Sequence, residues 1–207
     1  GEAIPRGTVS ITFDDGFRDN YEHAWPVLKR HGYPATVFVV SVLAGRTNQW
    51  MEEKGLPRRE LASWEELREM AEGGVEIGSH TVSHAALTEC DAGTLAGEVK
   101  GSKEEIERRL GKPVRFFAYP YGLMDERARS AVVMAGYEAA CSTRSGFNGA
   151  GFDPFALRRL EVYGSDSLWR FAVKIAWGTN DATLRLVARY YASRIRARLG
   201  RRVPAWT

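Results

Sequence analysis

The stretch Thr12-Phe13-Asp14-Asp15-Gly16 decides how the rest of the chain is organised. It follows the apolar run Val9-Ser10-Ile11, which predicts a short buried strand that ends at two adjacent carboxylates. Gly16 permits the tight turn behind them. Two like charges at the edge of a core are costly unless a positive group is held there, so the pair predicts a divalent metal site.

Two histidines, His80 and His84, follow a second strand-like run, Val75-Glu76-Ile77-Gly78. If the segment between them forms a helical turn, the two imidazoles share a face, because residues four apart lie on the same side. Two imidazoles and one carboxylate make a three-ligand site with an open position for water, which is typical of a catalytic metal. The predicted ligands are Asp15, His80 and His84, and Asp14 is left free to take a proton from water that attacks an ester or amide.

Each pattern alone has an ordinary structural explanation. Adjacent Asp and Gly residues favour turns, and a histidine pair four apart is often a polar helix face. The two patterns stand at matching strand ends and use two of only four histidines. Together they therefore favour a site.

Strand-like and helical runs alternate along the chain, and this predicts an α/β fold with a parallel sheet, either a barrel or an open sheet. Ser63-Trp64-Glu65-Glu66 is a capping box that opens one helix. In such folds the chemistry collects at the carboxyl ends of the strands. The predicted strands are 9–13, 35–40, 75–78, 115–119, 137–141 and 157–162, and the predicted helices are 21–31, 63–72, 92–110, 125–135, 167–177 and 183–199.

Length and composition indicate one soluble globular domain over residues 1–207, with 44% hydrophobic and 27% charged residues and a net charge of +3. No run approaches the roughly 18 apolar residues of a membrane span, and no signal peptide is visible. Cys90 and Cys141 match no metal or redox spacing and are expected to be free thiols, with a disulfide left open. Positive charge gathers near the C-terminus, where a solvated helix face is favoured over an anionic partner or a membrane surface, at Arg185, Arg189, Arg194, Arg196, Arg198, Arg201 and Arg202.

Three motifs resemble those of the polysaccharide deacetylase family, carbohydrate esterase family 4. They are Thr12–Gly16, His80-Thr81-Val82-Ser83-His84 and Phe116-Phe117-Ala118-Tyr119-Pro120-Tyr121-Gly122. The resemblance implies a distorted (β/α) barrel of about seven strands, with a motif-bearing core over about 8–165 and C-terminal helices over about 167–199. It also implies zinc or another divalent ion and the removal of N-acetyl or O-acetyl groups from sugars.

The same resemblance implies roles for single residues. Asp14 is the base, and Asp15 and the two histidines are the metal ligands. The backbone N–H at Tyr121 is an oxyanion donor, and the third motif lines a groove at Tyr119, Pro120 and Tyr121. Trp50 is predicted to stack on a sugar ring, with core packing as the alternative.

The sequence departs from the family pattern in two places. The third motif usually carries an Arg that braces the base, and Ala118 stands there instead. Arg159 is the predicted replacement, and Arg158 is the second candidate. The family's last motif supplies a histidine as general acid, but no histidine follows His84 in this sequence.

The predicted function is metal-dependent deacetylation of a polysaccharide or oligosaccharide, with N-acetyl favoured over O-acetyl. The alternatives are a non-sugar amide hydrolase on the same scaffold and a catalytically weak sugar-binding accessory protein. Zinc is the predicted cofactor, and Co²⁺, Ni²⁺ or Fe²⁺ also suit two nitrogens and one oxygen. The expected partner is an acetylated glycan and not nucleic acid, and an extracellular or cell-envelope location is favoured over a cytoplasmic one.

Overall fold

A computed structural model of the 207-residue chain describes residues 5, 7–52, 54–149, 151–181 and 183. Two compact units make up the chain: Gly1–Ser142 with Gly151–Leu157, and Thr143–Ala150 with Arg158–Thr207. The prediction of a single domain stays a prediction. The predicted helix over 183–199 lies outside the described residues, apart from Thr183.

The first unit is built on a parallel sheet of five described strands that pair in chain order. Parallel pairing sets Phe13 beside Val37, Val39 beside Ser79, and Ala118 beside Cys141. The predicted α/β class and parallel sheet are therefore confirmed, with five strands described rather than about seven, while closure into a barrel stays a prediction. The strands are β1 (Ile11–Phe13), β2 (Ala35–Val39), β3 (Glu76–Ser79), β4 (Phe116–Ala118) and β5 (Ala139–Cys141).

The predicted strand over 157–162 is wrong beyond its first residue. Leu157 makes an isolated parallel bridge to Cys141 within the first unit. In the second unit, the backbone N–H of Arg158 donates to Asn148 Oδ1 at 2.9 Å, and that of Arg159 donates to the Arg144 carbonyl at 3.0 Å. These two residues bond to a neighbouring loop, and so they do not extend the sheet.

The described helices lie where capping and periodicity predict them, except for the short helix Gln49–Glu52, which was not predicted. In α3 (Trp64–Glu72) the Ser63 hydroxyl accepts from the Glu66 N–H at 3.2 Å, and the Glu66 carboxylate accepts from the Ser63 N–H at 2.8 Å. The predicted helix over 92–110 is continuous, because the π-helical turn Gly97–Gly101 joins α4 (Ala92–Ala96) to α5 (Ser102–Leu110). The α-helices are α1 (Trp25–His31), α2 (Gln49–Glu52), α3 (Trp64–Glu72), α4 (Ala92–Ala96), α5 (Ser102–Leu110), α6 (Glu126–Met134) and α7 (Leu168–Trp177).

The main core lies in the first unit, between the sheet and the helices α3 to α6. Val37, Leu67, Ile106 and Phe117 are fully buried in it. Packing requires glycine at position 78 in β3, because a Cβ there would lie 2.5 Å from the Phe38 ring. Tight packing of this kind fixes the strand ends, where the candidate site lies.

Among the described helices, none is long and apolar enough to span a bilayer.

Candidate metal centre

The candidate site lies at the carboxyl edge of the sheet. Asp14 and Asp15 directly follow β1, His80 directly follows β3, and Tyr121 lies three residues after β4. The carboxyl ends of parallel strands meet at one edge, so residues far apart in sequence come together there.

Three side chains at this edge converge on one point. His80 Nε2 lies 3.4 Å and His84 Nε2 lies 3.3 Å from the same oxygen, Asp15 Oδ1. One ligand atom from each of the three residues lies within 4.8 Å of the others, and both histidines are buried. Two imidazole nitrogens and a carboxylate oxygen facing a common point form a donor set that fits a divalent metal.

The His80 ring is oriented for metal binding by a second hydrogen bond. Its Nδ1 lies 2.7 Å from the carbonyl oxygen of Ala118 in β4. A carbonyl can only accept, so Nδ1 donates to it, and this bond directs Nε2 toward Asp15. Metal-ligating histidines typically have this kind of second partner, which supports the fit.

The His84 ring is held differently, by aromatic packing. The Trp50 ring stacks on it with centroids 4.4 Å apart and an interplanar angle of 14°, and the Tyr121 ring meets it edge-on at 4.6 Å. Within the described residues, the buried Nδ1 of His84 has no hydrogen-bond partner. Two aromatic rings thus hold the His84 ring in place.

The predicted helical turn between the two histidines is wrong. This segment is a loop in which Thr81 and His84 have positive φ angles of 68° and 66°. The His84 N–H donates to the Thr81 hydroxyl at 2.9 Å, and the Glu98 carboxylate accepts from the N–H groups of Val82 and Ser83, each at 2.9 Å. The loop brings the imidazoles together through these bonds, and not through helical periodicity.

Left-handed backbone recurs at the site. Besides His84, both Asp15 (φ 71°) and Tyr121 (φ 58°) adopt it, although neither is glycine. Such conformations cost of order 1–3 kcal/mol each and are common at functional sites. The fold therefore maintains backbone strain at the three positions that bring these side chains together.

The electrostatics suit a cation. Burial alone would raise the pKa of the Asp15 carboxyl, but hydrogen bonds and charge from His80 and His84 hold that pKa well below its usual range. The pKa of His84 is lowered by burial and by the charge of His80, which together outweigh the contact with Asp15 that raises it. Burial opposes charge on His80, yet its contact with Asp15 and the charges of Asp14 and Asp15 raise its pKa. An ionised carboxylate therefore lies between two buried imidazoles.

Asp14 is only half-buried at the end of β1, and its charge reaches His80. It lies beside the three converging side chains without belonging to the cluster that fits a metal. This position is compatible with the role predicted for it, that of a base outside the ligand set.

The residues predicted to contact substrate have different positions. Tyr121 is 43% exposed at the mouth of the site. Tyr119 and Pro120 are buried, and the Tyr119 ring packs edge-on against Phe117 in the main core. Trp50 is also buried, and its ring stacks on His84. Contact of these three residues with substrate stays a prediction.

Arg159 belongs to the second unit, and its predicted role beside Asp14 stays a prediction. The sequence reasoning missed two other residues at the site. Lys54 Nζ lies 3.1 Å from the Tyr121 hydroxyl and 4.4 Å from the centre of its ring. Glu98 holds the histidine loop from a helix, at a sequence distance that no local motif reveals.

Fold and site together define the class: an α/β protein with a donor set that fits a divalent metal at the carboxyl edge of a parallel sheet. The family model described as polysaccharide deacetylase matches residues 2–140. The chain belongs to the polysaccharide deacetylase family, as its motifs predicted.

Relatives and solved structures of this family resemble the chain over much of its length. YxkH of Bacillus subtilis (strain 168), a protein named for the same family, is 31% identical over 154 residues, which cover 74% of this chain and 51% of YxkH. A poly-β-1,6-N-acetyl-D-glucosamine N-deacetylase of Staphylococcus aureus (strain MSSA476) is 28% identical over 142 residues, 64% of this chain and 47% of that protein. The chain thus spans about half the length of the curated relatives it matches.

Two solved structures share the fold. IcaB from Ammonifex degensii superposes with a TM-score of 0.72 at 25% identity, covering 84% of this chain and 74% of that one. The Streptococcus pyogenes deacetylase PplD, solved in complex with acetate, superposes with a TM-score of 0.69 at 25% identity. The match covers 79% of this chain and 68% of the PplD chain.

Proposed function

We propose that this chain is a metal-dependent hydrolase that removes acetyl groups from an acetylated glycan, with N-acetyl groups favoured. One observation carries the proposal: the Nε2 atoms of His80 and His84 lie 3.4 and 3.3 Å from one oxygen of Asp15. Membership of the polysaccharide deacetylase family supports the substrate class. The relative named poly-β-1,6-N-acetyl-D-glucosamine N-deacetylase supports an N-acetylated sugar.

In this proposal the residues have separate tasks. Asp15, His80 and His84 hold the metal. Zinc is the favoured ion, with cobalt, nickel or iron as alternatives. A bound divalent metal would supply Lewis-acid chemistry toward water and the acetyl carbonyl. Asp14 accepts the proton as water attacks, Arg159 braces Asp14, and the backbone N–H of Tyr121 donates to the developing oxyanion.

Protonation of the leaving group bears on the choice between the hydrolase and a sugar-binding accessory protein. No histidine follows His84, so residues 1–207 contain no counterpart of the general acid in the family pattern. An amine needs a proton more than an alkoxide does when it leaves, so slow turnover of N-acetyl substrates is expected if no other group replaces that acid. The alternative function is a sugar-binding accessory protein that holds metal without turnover.

We also propose an extracellular or cell-envelope location for the deacetylase.

Acetate release from a panel of glycans tests the proposal. The panel contains fragments of poly-β-1,6-N-acetylglucosamine, chitooligosaccharides, peptidoglycan and acetylated xylan, each incubated with chelated and with zinc- or cobalt-reloaded protein. We expect metal-dependent release from at least one N-acetylated glycan, and a loss of about a hundredfold or more in Asp14→Asn. Glycan binding without acetate release by the metal-loaded protein would favour the accessory function, and release that survives chelation would contradict the metal role.

A further inference from the structure

Helix α7 in the second unit turns its apolar face toward solvent. Leu168, Phe171 and Ile175 recur at helical spacing and are all exposed, and Trp169 beside them is exposed too. Surface helices normally bury the apolar stripe and expose the polar one. Within the part of the chain that the structure describes, no residue buries this face of α7.

The inner face of α7 carries a charged group instead. The buried Lys174 ammonium donates to Asp166 Oδ2 at 2.6 Å and to the Glu161 carbonyl at 2.8 Å, and it lies 4.8 Å from the centre of the Tyr163 ring. Rotating the helix to hide its apolar face would break this ion pair and leave a buried charge unpaired, which is strongly unfavourable. The contact therefore fixes α7 with its apolar face outward.

The sequence that follows α7 is strongly basic. Residues 184–207 contain seven arginines and no acidic residue. Over residues 167–207 there are nine basic residues and one acidic, a charge of +8, so that the first 166 residues carry −5 of the total of +3. Positive charge is thus concentrated in the part of the sequence that contains the exposed apolar helix.

We propose that α7 and the basic segment after it attach the chain to the surface of an anionic lipid bilayer. A second copy of the chain would cover the apolar face without using the positive charge, and a soluble polyanion would use the charge without covering the face. An anionic bilayer does both, because apolar side chains enter the boundary between headgroups and acyl chains while arginines pair with lipid phosphates. This attachment goes beyond the deacetylase function and does not depend on it.

Vesicle flotation with the full chain tests the proposal. The probes are vesicles of phosphatidylcholine alone and vesicles that also contain phosphatidylglycerol. We expect binding to the anionic vesicles that weakens as salt is added. The double variant Leu168→Glu/Phe171→Glu is expected to lower that binding by about tenfold or more, because two apolar side chains no longer enter the bilayer.

Helix α6 in the first unit offers a matched control. Met134 and Val133 are 86% and 40% exposed, against 87% and 39% for Leu168 and Phe171. The variant Met134→Glu/Val133→Glu adds the same charge at equally exposed apolar positions and is expected to bind vesicles like the wild type. Circular dichroism and a thermal melt establish that both double variants are folded.

The basic segment is tested separately by Arg194→Gln/Arg196→Gln/Arg198→Gln. This variant is expected to lower binding to anionic vesicles by about a hundredfold, because three arginines no longer pair with lipid phosphates. Binding to vesicles of phosphatidylcholine alone is expected to be weaker and to be the same in this variant as in the wild type, because it depends on the apolar face.

Several results would overturn the proposal. No vesicle binding by the wild type would do so, and so would binding that both double variants reduce equally. Self-association that Leu168→Glu/Phe171→Glu abolishes, without vesicle binding, would assign the face to a second copy. A lower melting temperature in that variant, again without vesicle binding, would show that another part of this chain covers the face.

Discussion

At the scale of single residues, the two histidines of the candidate metal site differ in the contacts that hold their rings. His80 donates from Nδ1 to the Ala118 carbonyl, whereas His84 has Trp50 stacked on its ring and Tyr121 against its edge. Removing an outer contact that orients a metal ligand typically lowers metal affinity by about ten- to a hundredfold. Trp50 thus acts through His84 as a positioning residue.

Replacing Trp50 tests this role. Trp50→Ala removes the stacking surface, so zinc affinity is expected to fall by about tenfold, while Trp50→Phe keeps most of it. Competition with a chromophoric chelator measures the affinity, and a thermal melt of the metal-free protein reports general damage. Zinc affinity in Trp50→Ala equal to that of the wild type would assign Trp50 to packing alone.

The candidate ligands were predictable from sequence, but their local geometry was not. The convergence of Asp15, His80 and His84 was predicted because charged and polar residues that are costly to bury follow the predicted strands. The left-handed backbone of His84 had no signal, since glycine is the usual residue in that conformation. The burial of Tyr119 was not predictable either, because an aromatic residue in a motif has the same sequence pattern whether it lines a groove or packs in the core.

At the scale of elements, the loop that carries the histidines depends on a helix for its shape. The Glu98 carboxylate in the turn Gly97–Gly101 accepts from two backbone N–H groups of the loop and from the Ser83 hydroxyl at 2.7 Å. Glu98→Ala is expected to lower zinc affinity by about tenfold, because the loop loses its anchor. Glu104→Ala is the control: Glu104 is exposed, lies in α5, which continues the same helix, and pairs only with Lys100 among the described contacts, at 3.4 Å. Equal effects in the two variants would refute the anchoring role.

The capping box of α3 gives a prediction for stability. Ser63→Ala removes one of its two reciprocal hydrogen bonds, so the free energy of unfolding is expected to fall by about 1 kcal/mol. Ser63→Asp restores a side-chain acceptor and is expected to recover most of that loss. Urea denaturation measures both variants, and a Ser63→Asp variant as unstable as Ser63→Ala would show that capping is not the cause.

Elements were predictable where local chemistry encodes them. The capping box placed α3, and the β-branched apolar run placed β2. The prediction of a strand over 157–162 was wrong because strand formation depends on the segment that it pairs with. Arg158 and Arg159 form hydrogen bonds with the 143–149 loop instead of a neighbouring strand. Pairing between distant segments leaves little trace in the sequence of either one.

At the scale of the whole molecule, acid is expected to lower stability. The Asp153 carboxylate accepts from Arg129 at 2.8 and 3.2 Å, and this contact lowers the pKa of Asp153. Backbone N–H groups at helix starts lower the pKa values of Asp91 and Asp125 in the same direction. A carboxyl with a lowered folded-state pKa stabilises the fold above its unfolded pKa, about 3.9, and that stability is lost as the pH falls through the folded pKa.

The free energy of unfolding is therefore expected to decline steadily below about pH 4. Arg129→Gln should be less stable than the wild type at neutral pH, and the difference should close in acid as Asp153 becomes protonated in both proteins. Urea titrations across pH measure this. A difference that persists unchanged in acid would assign the Arg129 effect to packing rather than to its charge.

The most direct test of the central claim is the amount of zinc that remains bound per chain after dialysis, compared across single substitutions. The proposal predicts a single tightly bound zinc ion in the wild type and in Asp14→Asn, and its loss in Asp15→Asn and His84→Gln. Loss of zinc from Asp14→Asn as complete as that from Asp15→Asn, or tight zinc binding in His84→Gln, would contradict the division of Asp14 from the three ligands.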